Sequence, residues 1–209
     1  VTHLSTPQQF DDARAILSQL RAPLIVLPGE HDVLGNDFKP YKTNFGIKGA
    51  QDGGWTSWSD NGVHYVVLLN VFNFEKMGLM GSDQLDWLKK DLQAQSQQTP
   101  IVVFTHVPLY ALYPQWGWTT QDGAQALAML AGFDRVTILN GHIHQVVTHV
   151  DGNIHFASAM ATAYPQPQPG TAPAPGPVTL PHDQLLHAIG YRTVRLDAGT
   201  AGVEDHPFG

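Results

Sequence analysis

The sequence of 209 residues contains no cysteine. This absence excludes disulfide bonds and thiolate metal ligands, and it leaves the redox compartment open because a chain without thiols suits either one. Basic residues are also scarce, since 11 Lys and Arg stand against 18 Asp and Glu, for a net charge of −7. This balance argues against nucleic acid as a partner, because binding a polyanion requires Lys and Arg to displace its counterions.

The sequence also lacks a long hydrophobic run. No stretch approaches the roughly 18 apolar residues of a membrane span, so we predict none. The first residue is Val1 rather than Met, and structured sequence follows almost at once. We therefore expect that a preceding segment was removed or left out. The cellular location stays open, and export with removal of a signal segment is one option.

Histidine is the abundant residue, because its 11 copies equal the number of Lys plus Arg. Such an excess indicates metal or acid–base chemistry, although histidines scattered over the surface are the simpler explanation. Hydrophobic residues make up 43% of the chain and occur in blocks. We therefore expect one domain over residues 1–209, with a Pro-rich extended arm at 164–181 that packs as neither helix nor sheet.

The order of the predicted elements indicates an α/β fold. Short apolar runs predict buried strands at 23–27, 101–104 and 136–139. Turn signals between apolar runs predict hairpins over 55–69 and 145–158, and alternation predicts a last strand at 191–196. Helical spacing predicts helices over about 7–20, from a capping Ser82 onward, and over about 120–131. Alternating helices and buried strands favour an α/β sandwich with mixed sheets.

Each of the three apolar runs is followed by a loop that carries histidine. Glu30 and His31 follow the first run, His106 follows the second, and His142 and His144 follow the third. Ligand crevices of open α/β sheets lie at the carboxyl ends of the strands, so these loops can converge. Imidazole and carboxylate groups suit Zn, Mn or Fe. One such motif is weak evidence, but three at strand ends in one chain predict a metal site.

The motifs Gly29-Glu30-His31-Asp32, Thr105-His106-x-Pro108 and Gly141-His142-Ile143-His144 occur in this order. In this order they resemble those of the calcineurin-like metallophosphoesterases. The resemblance implies a four-layered α-β-β-α sandwich of two mixed sheets, here lacking its first strand or strands. The family's D-x-H and G-D motifs are absent from the chain, and residues 1–7 resemble the stretch that follows G-D. We therefore expect both motifs upstream of Val1.

The resemblance also implies metal-binding roles. His106 and His142 resemble ligands of a second divalent ion, and His144 resembles a ligand of a first ion. Glu30 stands where the family has a metal-binding Asn, which adds negative charge beside the metal. Related sequences with Gly-Glu-His-Asp belong to bacterial, often exported, phosphoesterases, so Glu30 is interpreted as a subgroup trait. The complete protein would bind two ions of Mn, Fe or Zn.

Two further residues resemble the catalytic pair of the family. His31 resembles the histidine that contacts the phosphate and protonates the leaving oxygen. Asp32 would orient His31 and raise its pKa. His3 ranks above the remaining histidines because it would lie two residues past the metal-bridging Asp.

An aromatic group, Tyr113, Trp116 and Trp118, follows the His106 loop directly. Clustered aromatic residues commonly pack in a core. Here they share a loop with proline and glycine, which favours a substrate-binding rim. The sequence leaves these two interpretations equally open.

The leading functional hypothesis is a hydrolase that cleaves phosphomonoester or phosphodiester bonds of a small substrate with a metal-activated hydroxide. The alternative is a non-catalytic metal- or phosphate-binding module with a degraded first metal site. A third option is that a separate N-terminal fragment completes the site. Nothing in the sequence distinguishes cyclic nucleotides, sugar phosphates or lipids as the substrate.

Overall fold

The computed structural model describes residues 1–34, 38–71, 78–197 and 200–209. Its centre is a six-stranded sheet with the order β1-β2-β3-β4-β6-β5. The inner strands β2, β3, β4 and β6 are parallel, and the edge strands β1 and β5 pair antiparallel with β2 and β6. The six strands are β1 Thr56–Asp60, β2 Val63–Val67, β3 Ile101–Thr105, β4 Val136–Asn140, β5 Val147–Asp151 and β6 Ile154–Ser158.

Five α-helices and a second, smaller sheet accompany the central sheet among the described residues. The helices are α1 Pro7–Leu17, α2 Lys39–Phe45, α3 Ser82–Gln93, α4 Gly123–Leu130 and α5 His182–Ala188. The second sheet pairs β7 Gly190–Asp197 antiparallel with β8 Thr200–Pro207. None of the described helices has the length and hydrophobicity needed to cross a membrane.

The main core lies between the central sheet and helices α3 and α4. Val103, Ile138 and Phe156 are paired across β3, β4 and β6, so their side chains project from the same face. They pack in one buried cluster with Leu88 of α3 and Leu130 of α4. The loops that carry His106 and His142 begin beyond this core, at the carboxyl ends of β3 and β4.

The predicted fold class is confirmed, because the chain is a mixed α/β structure with helices packed on a largely parallel sheet. The apolar runs that became β3 and β4 and both predicted hairpins form as expected. The second sheet is smaller than the second mixed sheet that the expected sandwich would contain. In the described part of the chain it has two strands, and these are antiparallel.

The start of α3 differs from the prediction that Ser82 caps it. Ser82 is the first helical residue, and Gly81 in the capping position makes no side-chain hydrogen bond. Instead, the carboxylate of Asp122 accepts hydrogen bonds from the backbone N–H groups of Met80, at 3.0 Å, and Gly81, at 2.8 Å. A carboxylate from the residue before α4 thus holds the backbone that leads into α3, and the expected cap by Ser82 does not form.

The prediction of a buried strand at 23–27 is wrong. Among the described residues no strand includes or pairs with this segment. Leu24 and Ile25 are 46% and 44% exposed, and Val26 alone joins a second, smaller core that contains Phe10 and Tyr41. The Tyr41 hydroxyl donates a hydrogen bond to the Val26 carbonyl. A side chain thus satisfies this backbone group, which a neighbouring strand would satisfy in a sheet.

Candidate metal centre

Two of the three histidine loops meet because their strands are neighbours. Thr105 at the end of β3 pairs with Asn140 at the end of β4, so the loops beyond them begin side by side. The N–H of Gly141 donates to the His106 carbonyl oxygen over 3.2 Å, which ties the loops together. The third loop is a 3₁₀ turn over Glu30–Asp32.

Gly29, which precedes this turn, allows the third loop to approach the other two. A Cβ atom at position 29 would lie 2.8 Å from Cε1 of the His106 ring, which is closer than side-chain atoms approach in practice. Any other residue would therefore displace the imidazole or the turn. The glycine of the Gly-Glu-His-Asp motif is thus a packing requirement of the site.

Glu30, His106 and His142 form a compact group of metal-ligand type. Glu30 Oε2 lies 2.7 Å from His106 Nε2, and Glu30 Oε1 lies 3.1 Å from His142 Nδ1. One ligand atom from each residue lies within 4.8 Å of the others, and all three side chains are half-buried. One carboxylate and two imidazoles at this spacing can reach a single ion at the usual 2.0–2.2 Å. The donor set therefore fits a divalent transition metal.

The charge of Glu30 is stabilised by its neighbours. Burial by itself raises the pKa of this carboxyl. The hydrogen bonds from His106 and His142 outweigh burial and hold the pKa well below its ordinary value. The side chain is therefore ionised at neutral pH and supplies the negative charge that a cation site needs.

His144 lies outside this group of three but lines the same cavities as Glu30 and His31. Its Nδ1 donates a hydrogen bond of 2.8 Å to the carbonyl oxygen of Tyr164, which leaves the lone pair of Nε2 free. Burial lowers the pKa of His144, and the opposing effect of the Tyr164 hydrogen bond does not cancel this shift. The imidazole is therefore held in the neutral form that binds metals.

The loop that carries His142 and His144 has an unusual backbone. Both residues adopt positive φ angles, of 65° and 53°. Residues other than glycine rarely occupy this left-handed region, and when they do they often lie at functional sites. The positive φ angles set the directions in which the two imidazoles leave the loop.

His31 lies beside the cluster and is oriented by the N-terminal segment. Its Nδ1 donates to the carbonyl oxygen of His3 over 3.0 Å, and the two rings stack with centroids 4.9 Å apart. Its Nε2 lies 3.9 Å from Glu30 Oε1. The half-exposed ring thus presents Nε2 toward the ligand group.

Asp32 has other partners than the one expected. Its buried carboxylate accepts hydrogen bonds from the backbone N–H of Gly29 over 2.9 Å and of Thr2 over 2.6 Å. It also accepts from the Val1 nitrogen at 2.9 Å and from the Thr2 hydroxyl at 2.7 Å. Within the described part of the chain, the His31 ring bonds the His3 carbonyl and not Asp32. Asp32 therefore fixes the turn and residues 1–2 beside it, and the His3 carbonyl provides the orienting contact to His31.

The three aromatic residues after His106 do not share one environment. Trp118 is 1% exposed, and its ring meets that of Trp116 edge-on at 5.1 Å. Tyr113 meets Trp116 in the same manner at 5.1 Å. Trp116 and Trp118 line the cavity that contains Glu30, whereas Tyr113 is not part of its lining.

The Pro-rich arm contributes contacts to the site that its sequence pattern did not predict. No helix or strand forms over 164–181. Gln166 Nε2 donates to the His142 carbonyl over 2.9 Å, and Gln145 Nε2 donates to the Gln166 carbonyl over 3.0 Å. The arm is thereby attached to the loop that carries His142 and His144. Composition alone indicated an extended arm but did not indicate what it contacts.

The chain matches one family model and is similar to several solved structures. A family model described as calcineurin-like phosphoesterase matches residues 5–146. A dimetal phosphatase from Danio rerio is similar in structure, with a TM-score of 0.58 and 14% identity over 72% of this chain and 65% of that chain. A purple acid phosphatase from yellow lupin (Lupinus luteus) seeds gives a TM-score of 0.46 and 14% identity over 74% of this chain and 30% of that chain. None of the curated proteins matches the sequence.

The structural similarity at this identity shows a shared fold, and the chain spans slightly less than two thirds of the Danio rerio protein. The family model, by contrast, covers well over half of the chain and includes all three histidine loops. These are the loops whose side chains form the ligand group around Glu30. The chain belongs to the calcineurin-like phosphoesterase family.

Proposed function

We propose that this protein hydrolyses phosphomonoester or phosphodiester bonds of a small substrate with the help of divalent metal ions. The observation that carries the proposal is the convergence of Glu30, His106 and His142 at the carboxyl edge of the central sheet. Family membership supports a metal-dependent phosphoesterase in general. The ionised carboxylate and the cavity beside it support a site for a cation and a phosphate group.

Glu30, His106 and His142 would hold one ion, and His144, through Nε2, would be a ligand of a second ion. When bound, such ions polarise a phosphoryl oxygen and lower the pKa of water toward neutrality. Mn, Fe and Zn all suit a set of imidazoles and a carboxylate. The hydrogen bond from His144 to the Tyr164 carbonyl would fix the ring for this role.

His31 would act as the general acid that donates a proton to the leaving oxygen. Its Nδ1 is engaged by the His3 carbonyl, so Nε2 is the nitrogen available to the substrate. The ring lines the cavity together with Glu30, within reach of a phosphate placed beside the ligand group. Asp32 would act as a positioning residue, because its hydrogen bonds fix the turn that carries both Glu30 and His31.

One experiment tests the function and the role of His31 together. The wild-type protein and H31A are stripped of metal and reloaded with Mn²⁺, Fe²⁺ or Zn²⁺. Turnover is then measured on p-nitrophenyl phosphate and on an alkyl phosphate. We expect activity only after reloading. H31A should lose about 100-fold on the alkyl ester and only a few-fold on the aryl ester, because a poor leaving group needs the proton.

The control is H155A, since His155 is an exposed histidine of β6 that does not line the cavities of the site. It should match the wild-type protein on both substrates. Equal losses of H31A on the two esters would assign His31 to binding or structure. Tight metal binding with no turnover of either ester would favour the alternative of a non-catalytic metal- or phosphate-binding module.

A further inference from the structure

A cavity of about 230 Å³ lies directly beside the ligand group. Its polar lining includes Glu30, His31 and His142. Its apolar lining comes from two separate segments, the Trp116–Trp118 loop and residues 175–177 of the Pro-rich arm. The space between these two segments can take an organic group attached to a phosphate at the ligand group.

The apolar segments are suited to a flat group. Trp116 is half-buried, and Trp118 and Tyr113 both meet its ring edge-on, which fixes the plane of the indole. Aromatic rings favour offset-stacked or edge-on partners, and proline rings offer further apolar surface. An aryl group would therefore find more favourable contacts here than a flexible, hydroxylated alkyl group.

The arm is held in place by polar contacts close to the metal ligands. Tyr164 accepts a hydrogen bond from His144, and Gln166 donates one to the carbonyl of His142. Gln145 in turn donates to the Gln166 carbonyl. Three contacts within a few residues anchor the start of the arm to the metal-binding loop. The N–H of Val178 donates to the Pro165 carbonyl over 3.0 Å, which ties the wall residues 175–177 to this anchored start. A wall held in this way reduces the entropy lost on binding.

The charge of the residues that line the cavity disfavours a second negative charge on the organic group of the substrate. Neither this cavity nor the adjoining one of about 390 Å³ is lined by a described Lys or Arg side chain. Glu30 and Asp32 are the acidic residues of the two linings. The metal site and its imidazoles can compensate one phosphate. A second anionic group would be brought beside carboxylates without a basic partner, which is costly in a partly buried site.

We propose that the site selects esters with a single phosphate and a flat, uncharged organic group, held by Trp116 and the Pro-rich arm. This inference rests on the proposed function, because it assumes that the metal-loaded ligand group binds the phosphate. It adds a specificity determinant, the arm with Trp116, and a substrate class to that function.

The test uses calorimetric binding of non-hydrolysable phosphonates to the metal-loaded full chain. The three probes are phenylphosphonate, methylphosphonate and 4-carboxyphenylphosphonate. Phenylphosphonate should bind about 10-fold more tightly than methylphosphonate because of its aromatic contacts. The added carboxylate should weaken binding about 10-fold relative to phenylphosphonate, since no Lys or Arg is among the described lining residues.

Variants locate the preference. W116A should reduce the phenyl preference to about 2-fold and leave methylphosphonate binding unchanged, and W116F should keep most of the preference. The matched control is W58A, because Trp58 stacks on Tyr65 in the β1–β2 hairpin and does not line the cavity. Equal wild-type affinities for the phenyl and methyl probes would overturn this inference while the proposed function stands. If no phosphonate binds the metal-loaded protein, the proposed function itself fails.

Discussion

Strand β4 and the segment 23–27 have the same kind of sequence and very different structures. Each is a short apolar run followed by a loop that contributes to the ligand group. In β4, Ile138 is fully buried, and the strand pairs on both sides with β3 and β6. In the segment, Leu24 and Ile25 are 46% and 44% exposed, without a described strand beside them. An apolar run becomes a strand only where neighbouring strands take up its backbone hydrogen bonds.

The two regions nevertheless place their ligands within hydrogen-bond distance of one another. Glu30, which follows the unpaired segment, lies 3.1 Å from His142, which follows β4. The loop after β4 is held in place by the hydrogen bonds between paired strands. The loop that carries Glu30 is held by side chains instead, because Asp32 accepts a hydrogen bond from the Gly29 amide and Tyr41 donates one to the Val26 carbonyl. A ligand can therefore be positioned by a sheet or by a few buried polar contacts.

The largest expected difference between the regions is in stability. Ile138→Ala should reduce the free energy of unfolding by about 3 to 4 kcal/mol, because it opens a cavity in a fully buried strand. Ile25→Ala, which truncates a half-exposed side chain, should cost less than about 1 kcal/mol. Urea unfolding with unchanged m-values would measure both. An equally large loss of stability for Ile25→Ala would mean that the Ile25 side chain is buried in solution.

Removing a metal ligand from either region should weaken metal binding to a similar extent. Glu30→Ala and His142→Ala should each weaken Zn²⁺ binding by at least about 100-fold, or about 2.7 kcal/mol, because either change removes one of three ligands. Competition with a chelator of known affinity would measure the loss, and H155A serves as the unaffected control. If Glu30→Ala alone weakened Zn²⁺ binding by less than about 3-fold, the ion would be held by the loops that follow the paired strands and not by Glu30.

Tyr41→Phe should have a smaller effect than Ile138→Ala or the loss of a metal ligand, and this effect should depend on pH. It leaves the Val26 carbonyl without its donor, at a cost of about 1 to 2 kcal/mol at pH 7. Burial raises the pKa of Tyr41 well above its ordinary value of 10.0, and the nearby charge of Asp32 adds to the shift. The contribution of Tyr41 to stability is therefore fully present below pH 10 and is lost as the pH rises further, because only the unfolded chain ionises there.

The advantage of the wild-type protein over Tyr41→Phe should accordingly shrink above pH 10. Urea unfolding of both proteins between pH 7 and pH 11 would show this convergence. The variant Y191F provides a control, since Tyr191 is an exposed side chain of β7. A difference between wild type and Tyr41→Phe that stays constant across this range would contradict the buried, neutral hydroxyl.

Some elements could be predicted because their sequence pattern and their environment agree. The runs of β3 and β4 are apolar throughout and lie inside a parallel sheet, and the hairpins carry turn residues at the right places. Helices α2 and α5 were not predicted, since seven-residue helices depend on tertiary packing rather than on their own propensity. Strand β8 includes Gly202 and Asp205, which are rare in strands, and pairing with β7 over its whole length stabilises it.

The sequence by itself determined the chemistry of the candidate site. The residue types in the three loops, their order and the apolar runs before them identify a member of the calcineurin-like phosphoesterase family and point to a candidate metal site. Only the tertiary structure decided which groups touch. It set Glu30 between two imidazoles, one of them 112 residues away, turned Asp32 toward the backbone, and attached Gln166 of the arm to His142. Ligand preference is a property of each side chain, whereas distance across a fold follows from how buried elements pack, which local sequence does not encode.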